Sequence, residues 1–144
     1  MADQSISNHT RFFPPFHFFV IPILLGNFLY TLYAWYKVGF SIGGLWRAIV
    51  AFTLAYGFVV ARLMALKVQD RVIRLEEMLR YERLLPADLK ARVNEFTMGQ
   101  MISLRFASDA ELPALARKVL DDKVSERKAI KQMVKTWRPD YLRA

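Results

Sequence analysis

Cysteine is absent from all 144 residues, which removes disulfide frameworks, thiolate metal sites and cysteine nucleophiles at once. Histidine is nearly as scarce, with His9 and His17 its two instances. Neither of the two long apolar stretches contains Asp or Glu. Proton-coupled transporters usually place a carboxylate at membrane depth, so this counts against transport. There is no glycine-rich phosphate loop, nucleophile elbow or HExxH helix, and Asp121, Asp122 and Glu126 lack the spacing of a calcium loop. With no chemistry to carry it, catalysis finds no support, and the chain is read as a non-enzyme without a metal site.

What is present is apolar and basic. Hydrophobic residues make up 54% of the chain and aromatics 14%, with 11 Phe, which favours a membrane protein. The formal net charge of +8 suits an anionic lipid surface or an acidic partner. Nucleic acid is disfavoured as a partner because no nucleic-acid motif accompanies the charge.

The organising stretch runs from Leu45 to Arg83, where lipid-grade sequence passes into charged amphipathic sequence with no Gly or Pro after Gly57. A helix of that length extends roughly 58 Å, about twice the ~30 Å hydrocarbon thickness, so part of it must stand in water. Before it, Phe12 to Tyr36 carries no charge and is long enough to span. Pro14 and Pro15 suit a helix start, and Pro22 predicts a local loosening two turns in. The start of the chain is not basic and no A-x-A site follows the apolar stretch, so the stretch is read as a retained anchor. Lys37 to Gly44, KVGFSIGG, reads as a tight hairpin connection. The charge-free core of the second span, Ala48 to Ala61, is ~21 Å long and reaches bilayer length only if Arg47 and Arg62 snorkel to the two interfaces. Trp35, Tyr36 and Trp46 look like interfacial anchors. Within the first span, Asn27 and Thr31 suit interhelical hydrogen bonds, and Gly26 and Gly57 suit close helix approach.

These features predict an all-α membrane protein. Its parts are a polar segment 1–14, a transmembrane hairpin 15–66 with spans of about 15–36 and 45–66, an amphipathic stalk 67–83 and a helical module 84–144. The hairpin side carries Lys37 and Arg47, whereas Arg62 lies at the other edge of the second span and Lys67, Arg71, Arg74, Arg80 and Arg83 follow it. That asymmetry predicts both termini in the cytoplasm.

On the stalk, Ala65, Val68, Val72, Leu75 and Leu79 are spaced as an a/d seam of about two heptads. A seam this short is expected to dock on the chain's own tail, with a second copy as the other candidate. The pairs Asp70/Arg74, Glu76/Arg80 and Arg80/Glu82 read as surface helix electrostatics. In the tail, Pro86 opens a helix with Leu85, Leu89, Val93 and Phe96 as its apolar stripe. Thr97 caps a second, with Met98, Met101, Ile102 and Phe106 on one face. Ser108 and Glu111 form a capping box for a third, with Leu112, Leu115, Ala116, Val119 and Leu120 sharing a face. Ser125 caps a last helix that carries Ile130, Met133, Val134 and Trp137 and ends at Pro139. Arg127, Lys128, Lys131, Lys135 and Arg138 would form its basic face, suited equally to anionic headgroups or to plain solvation.

The one residue suggesting a cofactor is His17, at the edge of the first span. It is read first as an interfacial histidine bonded to backbone, water or lipid phosphate. The alternative is an axial ligand to haem or chlorophyll inside a larger complex, since the isolated chain supplies no second ligand or shaped pocket.

Three stretches carry a likeness: NHTRFFPPFHF near the N-terminus, ALKVQDRVIRLEEMLRYERLLPADL from Ala65 to Leu89, and SLRFASDAELPALARKVLDDKVSERKAIKQMVKTWRPDYLRA from Ser103 to Ala144. In these the chain resembles a family of small bacterial membrane proteins catalogued only as a domain of unknown function. The resemblance implies two transmembrane helices and a helical cytoplasmic tail in a bacterial membrane, here read as the inner membrane, and assigns no activity or catalytic residue. Together these features lead to the expectation of an accessory or scaffold subunit, working with other membrane-protein subunits or a second copy. A cofactor-holding subunit is the alternative, and a membrane-tethered enzyme is a disfavoured third.

Overall fold

A computed structural model describes residues 13–140; of the polar segment 1–14, only Phe13 and Pro14 fall within them. The described fold is all-α. A π-helical turn, Pro15–Val20, leads into α1, Ile21–Lys37, and a short turn leads to α2, Ile42–Leu84. Four short helices follow: α3, Ala87–Ala91; α4, Met98–Leu104; α5, Leu112–Asp121; and α6, Arg127–Met133, with a 3-10 turn at Val93–Glu95. Two compact units result, one ending at Leu66 and the other beginning at Lys67.

In the first unit, Pro22 explains the π-helical turn. Its ring lacks an N–H and crowds the carbonyl four residues earlier. The backbone widens instead, so that the Ile21 N–H reaches back to the Phe16 carbonyl. The predicted loosening therefore appears one turn upstream of the proline.

The turn between α1 and α2 is tighter than expected. It occupies 38–41, and Gly43 and Gly44 belong to α2. The Phe40 N–H bonds the Trp35 carbonyl at 3.1 Å and the Gly39 N–H bonds the Tyr36 carbonyl at 3.2 Å, which is a Schellman ending. Gly39 takes the left-handed conformation that motif needs, with φ 70°. The accompanying apolar contact is present: the Trp35 and Phe40 rings meet edge to face at 5.2 Å. Ser41 then caps α2, accepting the Gly44 N–H at 3.2 Å, while the Trp35 indole N–H bonds the Ser41 carbonyl at 2.9 Å.

Packing of α2 against α1 uses small residues. Gly44, Ala48 and Ala51 are buried and Ala55 half-buried, a small-residue stripe that lets helices approach closely. The antiparallel pairing is marked by the Phe28 and Phe52 rings at 5.6 Å and by Arg62 over the Phe16 ring at 6.0 Å. Gly26 and Gly57, expected at this contact, have nothing within 4 Å of a built Cβ. Thr31 turns back to its own helix, donating to the Phe28 carbonyl at 2.8 Å.

α1 with its π-turn (Pro15–Lys37) and α2, of 43 residues, are long and apolar enough to cross a membrane. At 43 residues α2 extends roughly 64 Å, and no break separates its apolar half from its charged half.

The second unit has a fully packed core. Tyr81, Leu85, Leu89, Val93, Phe96, Met101, Leu104, Leu112, Leu115, Val119 and Ile130 form it, each buried. Every fully enclosed aliphatic side chain contributes about 2 kcal/mol. α3 begins after Pro86, as the sequence predicts, and is tied to α5 by Arg117 on Asp88 at 2.7 Å. α4 opens with a complete capping box between Thr97 and Gln100, and the Gln100 amide goes on to bond the Val124 carbonyl at 2.9 Å.

Two tail expectations need correction. The Ser108 hydroxyl accepts the Glu111 N–H at 3.4 Å, but the Glu111 carboxylate does not complete the box. It accepts the backbone N–H groups of Lys135 and Thr136, at 2.9 and 3.1 Å. α6 likewise is not capped by Ser125, starts at Arg127 and ends at Met133, well short of Pro139. The chain straightens there because Ala107 and Trp137 pair as an isolated antiparallel bridge, with the Ser108 N–H on the Thr136 carbonyl and the Arg138 N–H on the Phe106 carbonyl.

Candidate functional site

The charged end of α2 presents opposite faces to different surroundings. Ile73, Glu77, Arg80 and Tyr81 are buried, the last three against residues of the tail. Their spacing of 4, 3 and 1 puts them on one side of the helix. The predicted seam is not on that side: Val68, Val72, Leu75 and Leu79 are between 49% and 63% exposed, and Ala65 is exposed too. The expectation that the tail docks on the seam is thus overturned. The tail takes the face that carries Glu77 and Arg80, because those polar groups find partners there that an a/d seam could not supply.

Those partners form the most connected polar site in the second unit. Arg80 is 2% exposed, so its charge must be compensated inside the fold. Its guanidinium donates to the Ala107 carbonyl at 2.6 Å, to the Arg105 carbonyl at 3.4 Å, and to the carboxylates of Asp109 at 2.7 Å and Glu77 at 3.3 Å. Glu77 also faces Arg138 at 3.7 Å, and the buried Arg105 pairs with Asp140 at 3.4 Å. Burial pushes the Glu77 carboxyl above its ordinary range, while the guanidinium groups of Arg80 and Arg138 pull the other way. Burial also raises the Tyr81 phenol, whose hydroxyl has no hydrogen-bond partner among the described residues. Helical spacing pairs Arg80 with Glu76 or Glu82 at the surface, and the fold does not follow it. The actual partners of Arg80 lie one residue from Glu76 and 29 residues downstream at Asp109.

Chemically this arrangement fixes rather than transforms. A guanidinium cannot release a proton at ordinary pH, and the Glu77 carboxyl is enclosed rather than open to a substrate. In the same unit, Ser108, Glu111, Leu115, Lys118, Met133 and Thr136 are among the residues lining an open groove of about 490 Å³. Glu111, its one carboxylate, is already committed to two backbone N–H groups. Among the described residues no three His, Asp or Glu side chains converge as a metal site.

The other predicted residues are dispersed. The His17 Nδ1 lies 3.1 Å from the Phe13 N–H and 3.0 Å from its carbonyl, a backbone contact across one turn of the helix start. Trp35 organises the turn, Tyr36 stacks edge-on to Phe40 at 6.0 Å, and Trp46 is exposed. Arg47 is exposed near the start of α2. The predicted basic face is divided because α6 ends at Met133. Arg127 and Lys128 are exposed on the helix, Lys131 lies over the Phe106 ring at 5.4 Å, Lys135 follows the helix, and Arg138 turns toward Glu77.

Fold and site together define an all-α protein with two helices long and apolar enough to cross a membrane and a tail tied to the end of α2 through the buried Arg80 guanidinium. The chain belongs to a family of unknown function, DUF6526, whose model matches residues 1–144. No curated protein and no solved structure matches it.

Proposed function

We propose that this chain is a non-catalytic accessory or scaffold subunit of a larger complex in the bacterial inner membrane. In this reading, spans of about 15–36 and 45–66, on α1 with its π-turn and on the apolar part of α2, form the anchor and both termini are cytoplasmic. The observation that carries the reading is the contrast between the two units. None of the most apolar part of α1, and 6% of that of α2, is buried within the chain, whereas the tail encloses its own core. Apolar surface on that scale needs lipid or other helices around it. The excess of Arg and Lys after the second span supports the cytoplasmic placement, and the basic tail suits anionic headgroups.

Gentle detergent extraction followed by native gels and mass spectrometry tests the proposal. Co-migration with further membrane subunits is the expected result, and migration only as a bare single chain would overturn it.

A further inference from the structure

We infer that the exposed seam of α2 is the contact surface for a second copy of this chain, joined to the first as a parallel two-stranded coiled coil. The inference rests on the membrane-anchored reading above and names the partner. Val68, Val72, Leu75 and Leu79 stand 49% to 63% exposed while the far side of the same helix is buried in the tail. These four positions make about two heptads, and anchorage of both copies in one bilayer supplies the effective concentration that so short a seam needs.

Register fixes what the partner must be. With Val72 and Leu79 at a positions and Val68 and Leu75 at d, the exposed seam is apolar at each of its four core positions. Ile73, Glu77, Arg80, Tyr81 and Leu84 then fall at b, c and f, the positions facing away from the seam, so the tail leaves the seam clear. Arg71 occupies g and Glu76 the following e. These are the positions that meet across a parallel dimer, Arg71 of one copy opposite Glu76 of the other and the reverse. Both are exposed, and among the described residues neither has an ion pair within the chain. An identical second copy supplies both complementary charges at matching heights. Two copies inserted in one bilayer with the same orientation are held parallel, the one arrangement that brings Arg71 to Glu76.

The absence of cysteine allows a clean test in native membranes from cells producing two differently tagged copies. Val72→Cys, at the seam, is compared under mild oxidation with Arg74→Cys, at an outward c position. The inference predicts a disulfide-linked adduct carrying both tags at Val72→Cys and several-fold less at Arg74→Cys. Arg71→Glu in the Val72→Cys background should lower the yield several-fold, and adding Glu76→Arg should restore it. Equal yields at the two positions, an adduct whose mass shows a different protein, no adduct at Val72→Cys, or failure of the charge swap to restore the yield would each overturn the dimer. Fractionation of the same cells separates the two ideas. Chain found in the soluble fraction defeats the anchored reading itself, whereas chain in the membrane without a Val72→Cys adduct defeats the dimer alone.

Discussion

The Arg80 guanidinium donates to the Ala107 carbonyl at 2.6 Å across 27 residues of sequence. This bond joins the end of the long helix to the strand-like segment that pairs with Trp137. Its neighbours Glu77 and Asp109 compensate the charge, so the tail's closure depends on one buried cation having four acceptors.

Removing that cation should therefore be far worse than a surface change. Arg80→Met leaves the Ala107 carbonyl without its donor and Glu77 with the more distant Arg138 alone, and breaking a buried pair from one side costs about 3–5 kcal/mol. Limited proteolysis of the detergent-solubilised chain should show rapid cleavage within 96–140. The exposed Arg83→Met should leave the tail as resistant as before. Equal resistance of the two variants would mean that the network contributes little.

Glu77 sets a pH dependence of opposite sign to that of an ordinary paired carboxylate. Because burial raises its folded pKa above the usual value of 4.5, the folded tail holds the Glu77 proton more tightly than the unfolded chain does. Its contribution is thus fully present below about 4.5 and is lost as pH rises through the raised value. Hydrogen exchange across the tail, followed from pH 4 upward, should reveal this decline after correction for intrinsic rates. Glu77→Gln should flatten it. An identical slope in the variant would show that Glu77 is not the group responsible.

Gly44 and Gly43 are adjacent and should respond oppositely to the same substitution. A Cβ on Gly44 would sit 2.5 Å from the Trp35 ring, which is held by Ser41 and Phe40, whereas a Cβ on Gly43 meets nothing within 4 Å. Gly43→Ala should stabilise the hairpin by up to about 1 kcal/mol through helix propensity. Gly44→Ala should destabilise it despite the same propensity gain, because Trp35 must move. Thermal unfolding of the two variants in detergent decides the matter, and a gain in both would show that the turn tolerates the shift.

The legible parts of the fold were those governed by period and local chemistry. The uninterrupted α2 and the charge-free first helix follow from spacing alone, and Thr97 announces its helix by side-chain type; Leu85, Leu89, Val93 and Phe96 are buried, but the single helix expected to carry them stops at Ala91 and a 3-10 turn follows. What spacing could not supply was partner choice over distance. Val68 to Leu79 form the better apolar stripe, yet the tail packs on Glu77 and Arg80, because Asp109 and the carbonyls of 105 and 107 lie in reach only after the tail folds. Glu111 shows the same limit. Its spacing from Ser108 matches a capping box, but two unpaired N–H groups at Lys135 and Thr136 compete for its carboxylate. α6 ends at Met133 for a related reason, since the bridge to Ala107 stops the helix before Pro139 can. Among the small residues, Gly44, Ala48 and Ala51 mark the helix contact, and the glycines at 26 and 57 do not.

The central claim is that the chain crosses the membrane twice and holds its tail in the cytoplasm. Single-cysteine mapping in intact spheroplasts and in inverted vesicles tests it most directly, using Val38→Cys in the turn and Ser125→Cys in the tail, both exposed positions. The account predicts that a membrane-impermeant maleimide labels Val38→Cys only in spheroplasts and Ser125→Cys only in inverted vesicles. Labelling of both positions from the same side would contradict it.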